Sequence, residues 1–246
     1  MVILSHNVFW FQGTPFGTDR PPGPNVGILE RLCAVYREIG PDIICLQEIQ
    51  NRATFEAAGA GLGMEGTLCE GKDLPQYGGG VFWRAGLGRP LRDSLGAGGA
   101  TQRMWQVIEV DDDDCCLRIC NIHLPSERQV GAERAAVQRM DELREAIGSC
   151  DGGPDVVVGD FNEEPGGSTG KYLEGLGYVN AAVCAGRADT PTNLGGGRGD
   201  YIWLRRSLSV GLLRFGVADK QDLLSQDRDK EYLSDHLPLW IEVQAQ

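Results

Sequence analysis

Short apolar, β-branched runs punctuate the chain and predict strands at 2–5, 43–46, 80–83, 105–110, 117–122, 156–158, 201–204 and 237–243. The unbroken apolar character of 43–46 and 156–158 is that of strands covered on both faces. Helical periodicity emerges in two places. Asn25 precedes Val26, Leu29, Leu32, Val35, Tyr36 and Ile39, with Gly40-Pro41 to stop the helix. Ala132, Ala136, Met140, Leu143 and Ile147 then recur at spacings of three and four before Gly148. Shorter helices are predicted at 52–60 and 168–176. Many strands, few helices and long connections predict an α/β fold in which two sheets pack face to face with helices outside.

The polar residues that close these runs are unusual as a group. Asn7, Glu48, His123, Asp160 and Asn162 each follow an apolar run, while Asp200 and the Asp235-His236 pair precede one. Ends of neighbouring strands meet at one edge of a sheet, where α/β folds place their chemistry. An oxygen-rich cluster with two imidazoles suits a hard cation such as Mg²⁺ and supplies an acid/base pair for hydrolysis.

Composition narrows this further. The 246 residues, 41% hydrophobic and 24% charged, suit one large domain spanning 1–246. A formal charge of −12 argues against coating nucleic acid by charge alone, and an acidic chain handles phosphate more naturally through a divalent cation. There is no apolar stretch long enough for a membrane span, and residues 1–10 lack the marks of a signal peptide. A cytoplasmic protein without an obligate protein partner is expected. The eight cysteines show no Cys-x-x-Cys spacing and are expected as reduced core residues. Residues 78–80, 111–114 and 195–197 read as loops, the aspartate run as a charged hairpin connection.

The ordered set Asn7, Leu46-Gln47-Glu48, Asn121-Ile122-His123-Leu124, Gly159-Asp160-Phe161-Asn162, Asp200-Tyr201-Ile202 and Ser234-Asp235-His236-Leu237-Pro238 resembles the endonuclease/exonuclease/phosphatase superfamily of Mg²⁺-dependent phosphoesterases, over practically the whole chain. The resemblance implies a four-layer α/β/β/α sandwich of two packed, mostly antiparallel mixed sheets with outer helices. It also implies cleavage of phosphate esters on nucleic acids, inositol phosphates, sphingomyelin or protein-nucleotide adducts, and it predicts reaction class better than substrate. Mg²⁺ (or Mn²⁺) would be held by Glu48, with Asn7 and Asp235 in support. Asp160 would orient or deprotonate the attacking water, and Asn162 would donate to a phosphoryl oxygen or to the nucleophile. His123 and His236 would stabilise phosphoryl charge, with Asp200 holding the tautomer of His236.

Several readings stay open at this level. The i, i+2 spacing of Asp160 and Asn162 puts both on one side of an extended segment, with Phe161 opposite, unless the pair forms an Asx-turn. Trp10, with Phe9, Phe11 and Phe16, either stacks on substrate or continues the first strand into the core. Arg103, Arg128, Arg134 and the Arg205-Arg206 pair are candidates for substrate phosphates. Glu163 and Glu164 read as rim residues, His6 as surface or packing. Residues 166–171 only mimic a phosphate loop, because Tyr172 replaces the required Ser/Thr. The expected substrate is a phosphate ester: a nucleic acid, a nucleotide or a small phosphodiester, with small or single diesters preferred to bulk duplex. The alternatives are a phosphomonoesterase on a sugar, inositol or lipid, and a non-catalytic phosphate-ligand binder.

Overall fold

The computed structural model describes residues 1–87, 93–95, 100–112, 115–206 and 210–245. In chain order the first half runs β1 (Val2–Asn7), α1 (Val26–Ile39), β2 (Ile43–Ile49), α2 (Arg52–Leu62), β3 (Glu65–Cys69), β4 (Gly78–Trp83), β5 (Asp93–Leu95), β6 (Met104–Asp112) and β7 (Cys115–His123). The second half follows with α3 (Glu127–Val130), α4 (Ala132–Gly148), β8 (Val156–Asp160), α5 (Ser168–Gly175), β9 (Tyr178–Asn180), α6 (Ala181–Cys184), β10 (Asp200–Arg205), β11 (Val210–Val217) and β12 (Leu239–Ala245).

Two six-stranded sheets result, in the orders β11-β12-β1-β2-β4-β3 and β5-β6-β7-β8-β10-β9. Each is antiparallel except for one central parallel pair, β1 with β2 and β7 with β8. The reason the central strands read as unbroken apolar runs is visible in β2. Ile43 and Cys45 enter the core between the sheets, while Ile44 and Leu46 pack outward beneath α1. On the other sheet Val156 and Val158 face inward, and Val157 packs outward with Leu143 of α4 and Leu173 of α5. These three hydrophobic layers make the expected α/β/β/α sandwich. Helix α1 is bounded as its sequence predicts: the Asn25 side chain accepts from Ile28 N–H, and Gly40 ends the helix at φ 71°.

Four strands escaped the sequence pattern: β3, β5, β9 and β11. All four are sheet edges. An edge strand needs neither two buried faces nor a continuous apolar run, so its signal is weak. The last strand also begins at Leu239 rather than 237, because Leu237 N–H bonds to Thr192 O outside the ladder. Residues 78–80 are no loop but the start of β4. A Cβ on Gly79 would stand 2.5 Å from Leu46 O and collide with Met104, so close packing explains the glycine. Asp111 and Asp112 of the aspartate run are no loop but the end of β6, paired with Cys116 and Cys115; residues 113 and 114 lie outside the described residues.

Helix α4 departs most from its pattern. Ala132 and Ala136 are exposed, and the buried face is Ala135, Arg139, Glu142, Leu143 and Ala146. Two ionisable residues turn inward, Arg139 as a paired charge and Glu142 with its pKa raised to about 8 by burial. Arg139 donates to Glu127 Oε1 at 2.9 Å and lies 3.8 Å from Glu163, while Glu142 Oε1 accepts Gln102 N–H at 2.9 Å. Cysteines divide similarly: Cys33, Cys45 and Cys120 are buried as expected, whereas Cys116 and Cys184 are exposed. Among the described residues, no helix is long and apolar enough to cross a membrane.

Candidate active site

β1, β2, β7 and β8 deliver their C-terminal ends to one edge of the sandwich, where the antiparallel β10 begins. The register puts His123 beside Asp160, and Asp160 beside Asp200. The two sheets are tied to each other just below. Gln47 Nε2 donates to Asn121 Oδ1 at 2.7 Å, and Asn121 Nδ2 donates to Leu46 O at 3.0 Å.

Asp160 is the hub of the cluster. Its Oδ2 accepts from Asn7 Nδ2 at 3.0 Å and lies 3.5 Å from His123 Nε2 and 3.9 Å from His236 Nε2. Its Oδ1 accepts Asn162 N–H at 2.9 Å, and Asn162 turns left-handed at φ 50°. The extended Asp-Phe-Asn geometry is therefore corrected to an Asx-turn. Asn162 Nδ2 spends one N–H on Leu124 O at 3.0 Å, while Phe161 is fully buried in the outer core, as the motif predicts.

His236 sits between carboxylates. Its Nδ1 is 2.9 and 3.1 Å from the two Asp200 oxygens, and Thr192 Oγ1 donates to Asp200 Oδ2 at 2.7 Å. Burial alone would lower the imidazole pKa, but Asp200 in contact, with Asp235 and Asp160 nearby, raises it well above the ordinary value. The ring is cationic at neutral pH and turns Nε2 toward Asp160. Below it, His6 is fully buried between Tyr36 Oη (2.5 Å) and His236 O (3.1 Å), with its pKa pushed down to about 3 by burial. It is a neutral packing residue that braces the His236 backbone.

The opposite wall carries Glu48, His123 and Arg103. His123 is wholly buried and Arg103 Nη1 bonds to its Nε2, so the imidazole is an acceptor there. Burial, then the Arg103 and His236 charges, holds its pKa well below the usual range. The expectation of a charged or donating His123 is thus replaced by a neutral ring that receives Arg103. Arg103 itself lies 4.4 Å above the Tyr77 ring and donates to Gln129 Oε1 at 2.9 Å. Glu48 adopts φ 63° with its carboxylate 3.8 Å from His123 Nε2, and burial pushes its pKa up to about 8.

Glu48 Oε2 and Asp235 Oδ1 are both buried without a hydrogen-bond partner. Carboxyl oxygens left without a partner beside the two imidazoles, Glu48 by His123 and Asp235 by His236, fit a hard cation. A second grouping, Asp160, Asp200 and His236, also brings one ligand atom from each residue within 4.8 Å. There, however, the His236 and Asp200 atoms are already bonded to each other.

A cleft of about 420 Å³ opens over the cluster, lined by Arg128, Asp160, Asn162, Asn193, Asp235 and His236 among others. The arginine it exposes is Arg128; Arg134, expected here, lies on the exposed face of α4 away from the lining. Trp10 does not continue β1, because the chain turns through a 3-10 helix with Phe9, Trp10 and Phe11 at φ 48°, 53° and 54°. It is only 4% exposed, donates to Gln76 O at 2.7 Å and packs against Tyr77, leaving no open face for substrate stacking. Glu163 is likewise more than a rim residue. Its carboxylate accepts the Ser168 and Thr169 backbone N–H groups at 3.1 and 2.8 Å and caps α5. Tyr77, Gln129 and Thr192 went unpredicted because a lone polar residue in a loop or in a helix of one turn carries no pattern.

The Endonuclease/Exonuclease/phosphatase family model matches residues 4–236. The comparison with curated sequences returns no match. Among solved structures, Bacteroides thetaiotaomicron VPI-5482 mannosyl-6-phosphatase is similar with a TM-score of 0.74 at 17% identity, over 99% of both chains. The human Nocturnin catalytic domain with bound sulfate gives 0.70 at 22% identity, over 100% of this chain and 94% of the other. D. rerio TDP2 complexed with single-strand DNA product gives 0.73 at 17% identity, over 100% and 99%. At such identities the likeness is one of fold.

Proposed function

The chain belongs to the endonuclease/exonuclease/phosphatase family, whose hydrolases act on phosphate esters, and on that premise we propose that it is a Mg²⁺- or Mn²⁺-dependent hydrolase of small or single phosphodiesters. The observation that carries this reading is Asp160, an anchored carboxylate facing a cationic imidazole at the floor of an open cleft.

Asp160 is the residue to receive the water proton, at Oδ2. Asn7 and Asn162 fix its orientation, so no reorganisation is needed when the proton arrives. His236 turns its charged Nε2 edge toward the phosphoryl oxygens, where charge grows during transfer, and Asp200 and Thr192 keep it charged and oriented. The remaining N–H of Asn162 is available to a phosphoryl oxygen. His123 holds Arg103 and its positive charge on the far wall. A divalent ion, held by Glu48 with Asn7 and Asp235 in support, would neutralise phosphoryl charge when bound. The buried thiols Cys33, Cys45 and Cys120 suit the reducing cytoplasm in which we place this single catalytic domain.

The test is a turnover screen over oligonucleotides, nucleotides, inositol phosphates, sugar phosphates and phospholipid headgroups. EDTA should abolish hydrolysis and Mg²⁺ should restore it. Asp160→Asn and His236→Ala should each lower kcat by about 10²-fold or more with unchanged circular dichroism. Full activity in a folded His236→Ala protein would overturn the assignment, and turnover of monoesters alone would move it to a phosphomonoesterase.

A further inference from the structure

Arg128 is the one lysine or arginine among the described residues that line the catalytic cleft, and its side chain is exposed. Among the described residues its guanidinium has no salt bridge and no hydrogen bond; only its backbone N–H is engaged, by Ser126 Oγ at 3.3 Å. The acidic residues of the lining do not explain its presence. Glu127 is paired with Arg139 at 2.9 Å, Glu163 caps α5, Glu164 accepts the Arg198 backbone N–H at 3.3 Å, and Asp160 accepts from Asn7 and Asn162. Each of these carboxylates has another partner, so Arg128 is not their counter-ion. The backbone that carries it is fixed as well. A helix of 4 residues has little stability of its own, yet α3 is pinned on both sides of Arg128. Glu127 holds Arg139 on one side; on the other, Gln129 Oε1 accepts from Arg103 Nη2 at 2.9 Å and Gln129 Nε2 donates to Tyr77 Oη at 2.5 Å. An unpaired guanidinium on a fixed backbone, in a lining that is otherwise acidic, is placed to meet an anion that arrives with the substrate.

Volume and charge narrow that anion. The cleft of about 420 Å³ lies within the roughly 300–1,000 Å³ of sites that take a drug-sized ligand, more than a reacting phosphate alone would fill. His236 already meets the charge of the reacting phosphoryl group, which leaves the Arg128 charge for another part of the same molecule. A second anion entering beside Glu127, Glu163 and Glu164 is repelled unless it has a cation of its own, and the planar fork of an arginine matches the oxygens of a phosphate. We propose that Arg128 forms a subsite for a second, non-reacting phosphate group, so that the preferred substrates carry two phosphates, one at Asp160 and His236 and the other on Arg128. The inference deepens the phosphodiesterase reading and rests on it for the placement of the reacting phosphate. A contact made away from the reacting atoms holds ground state and transition state alike, so its effect falls on KM rather than on kcat.

Binding and turnover test it separately. In Mg²⁺ buffer, calorimetry compares thymidine 3′,5′-bisphosphate with thymidine 5′-phosphate, and inositol 1,4-bisphosphate with inositol 1-phosphate. In at least one of these scaffolds the second phosphate should tighten binding about tenfold. Arg128→Gln should remove that advantage, and Arg128→Lys, which keeps the charge and loses the fork, should retain part of it. Arg134→Gln deletes the same charge from the exposed face of α4 and should leave the advantage in place. Turnover is read on diesters with and without a terminal phosphate: d(TpT) against its 5′- and 3′-phosphorylated forms, and glycerophosphoinositol against glycerophosphoinositol 4-phosphate. A phosphorylated form should be preferred about tenfold in kcat/KM, through KM, with the preference shrinking as salt is raised and lost in Arg128→Gln. No advantage for a second phosphate in either scaffold overturns the subsite, as does an advantage that survives Arg128→Gln or falls equally in Arg134→Gln. A bisphosphate advantage that depends on Arg128, without turnover of any diester, supports the subsite and defeats the phosphodiesterase reading instead.

Discussion

Replacing Asp200 by Asn removes one charge and almost no volume from beneath His236. At 2.9 Å and an effective dielectric of 20, the gross attraction between this carboxylate and the imidazolium is about 6 kcal/mol. Asp160 at 3.9 Å and Asp235 at 4.0 Å remain, each worth about 4 kcal/mol on the same scale. Solvent reaches the ring, 17% exposed, and takes up part of the loss. A fall in the His236 pKa is therefore expected, because the contacting carboxylate that raises it most is gone. Because the cation is lost as pH rises through the folded pKa, the alkaline limb of kcat/KM should move to lower pH, with kcat at pH 7 reduced by about 10²-fold or more. Stability follows the same sign. The pair's contribution is complete below about pH 6.5, the unfolded value, and vanishes above the folded one, so the variant loses most in acid. Proton NMR reads the shift directly, since the chain has 3 histidines and both His6 and His123 are held neutral. One imidazole resonance should titrate above neutrality in the wild type and at distinctly lower pH in Asp200→Asn. An unchanged resonance together with an unchanged pH–rate profile would refute the reasoning.

Three further outcomes follow from groups described above. Glu48, with a pKa of about 8 in the metal-free protein, should release close to one proton per Mg²⁺ bound at pH 7 and almost none above pH ~9. Calorimetry in two buffers of different ionisation enthalpy measures this, and buffer-independent heats would contradict it. Glu142 is fully buried and its pKa is raised to about 8, chiefly by burial, so it costs stability progressively as pH rises from its unfolded value toward 8. Glu142→Gln should be more stable than wild type by roughly 2–4 kcal/mol at pH ~9 and show little gain at pH ~4.5. Urea midpoints at the two pH values decide, and equal destabilisation at both would count against the assignment. Gly79→Ala should lose about 3 kcal/mol and lower Tm, since its Cβ would meet Leu46 O at 2.5 Å and collide with the Met104 side chain; a neutral substitution would mean that β4 can shift away.

The sequence disclosed the middle of each sheet and concealed its margins, for a physical reason. A central strand must be apolar on both faces, so 43–46 and 156–158 announce themselves, and polar residues at their ends stand out by contrast. Glu48, His123, Asp160, Asp200 and His236 were legible on that account. Tyr77, Gln129 and Thr192 act through single hydrogen bonds or a ring face from loops and short turns, which no periodicity reports. Arg134 and Arg128 look alike as letters; only the turn of the chain at α3 decides that Arg128 faces the cleft. Trp10 misled because a strand pattern says nothing about where three residues turn left-handed. Helix α4 misled because Arg139 is paired with Glu127 and Glu142 is held as a neutral acid by burial, so neither letter marks a solvated face.

The Gln47–Asn121 bridge bears on how such a protein can change over time. Gln47 adjoins Glu48, and Asn121 stands two residues before His123, so the amide contacts of this pair couple the alignment of one sheet to that of the other. A slip of either β2 or β7 by one residue would break the pair and reverse the pleat at the same moment. The catalytic groups are thus inherited as one setting. Variation in substrate is freest where no such bridge reaches, in the loops around the cleft.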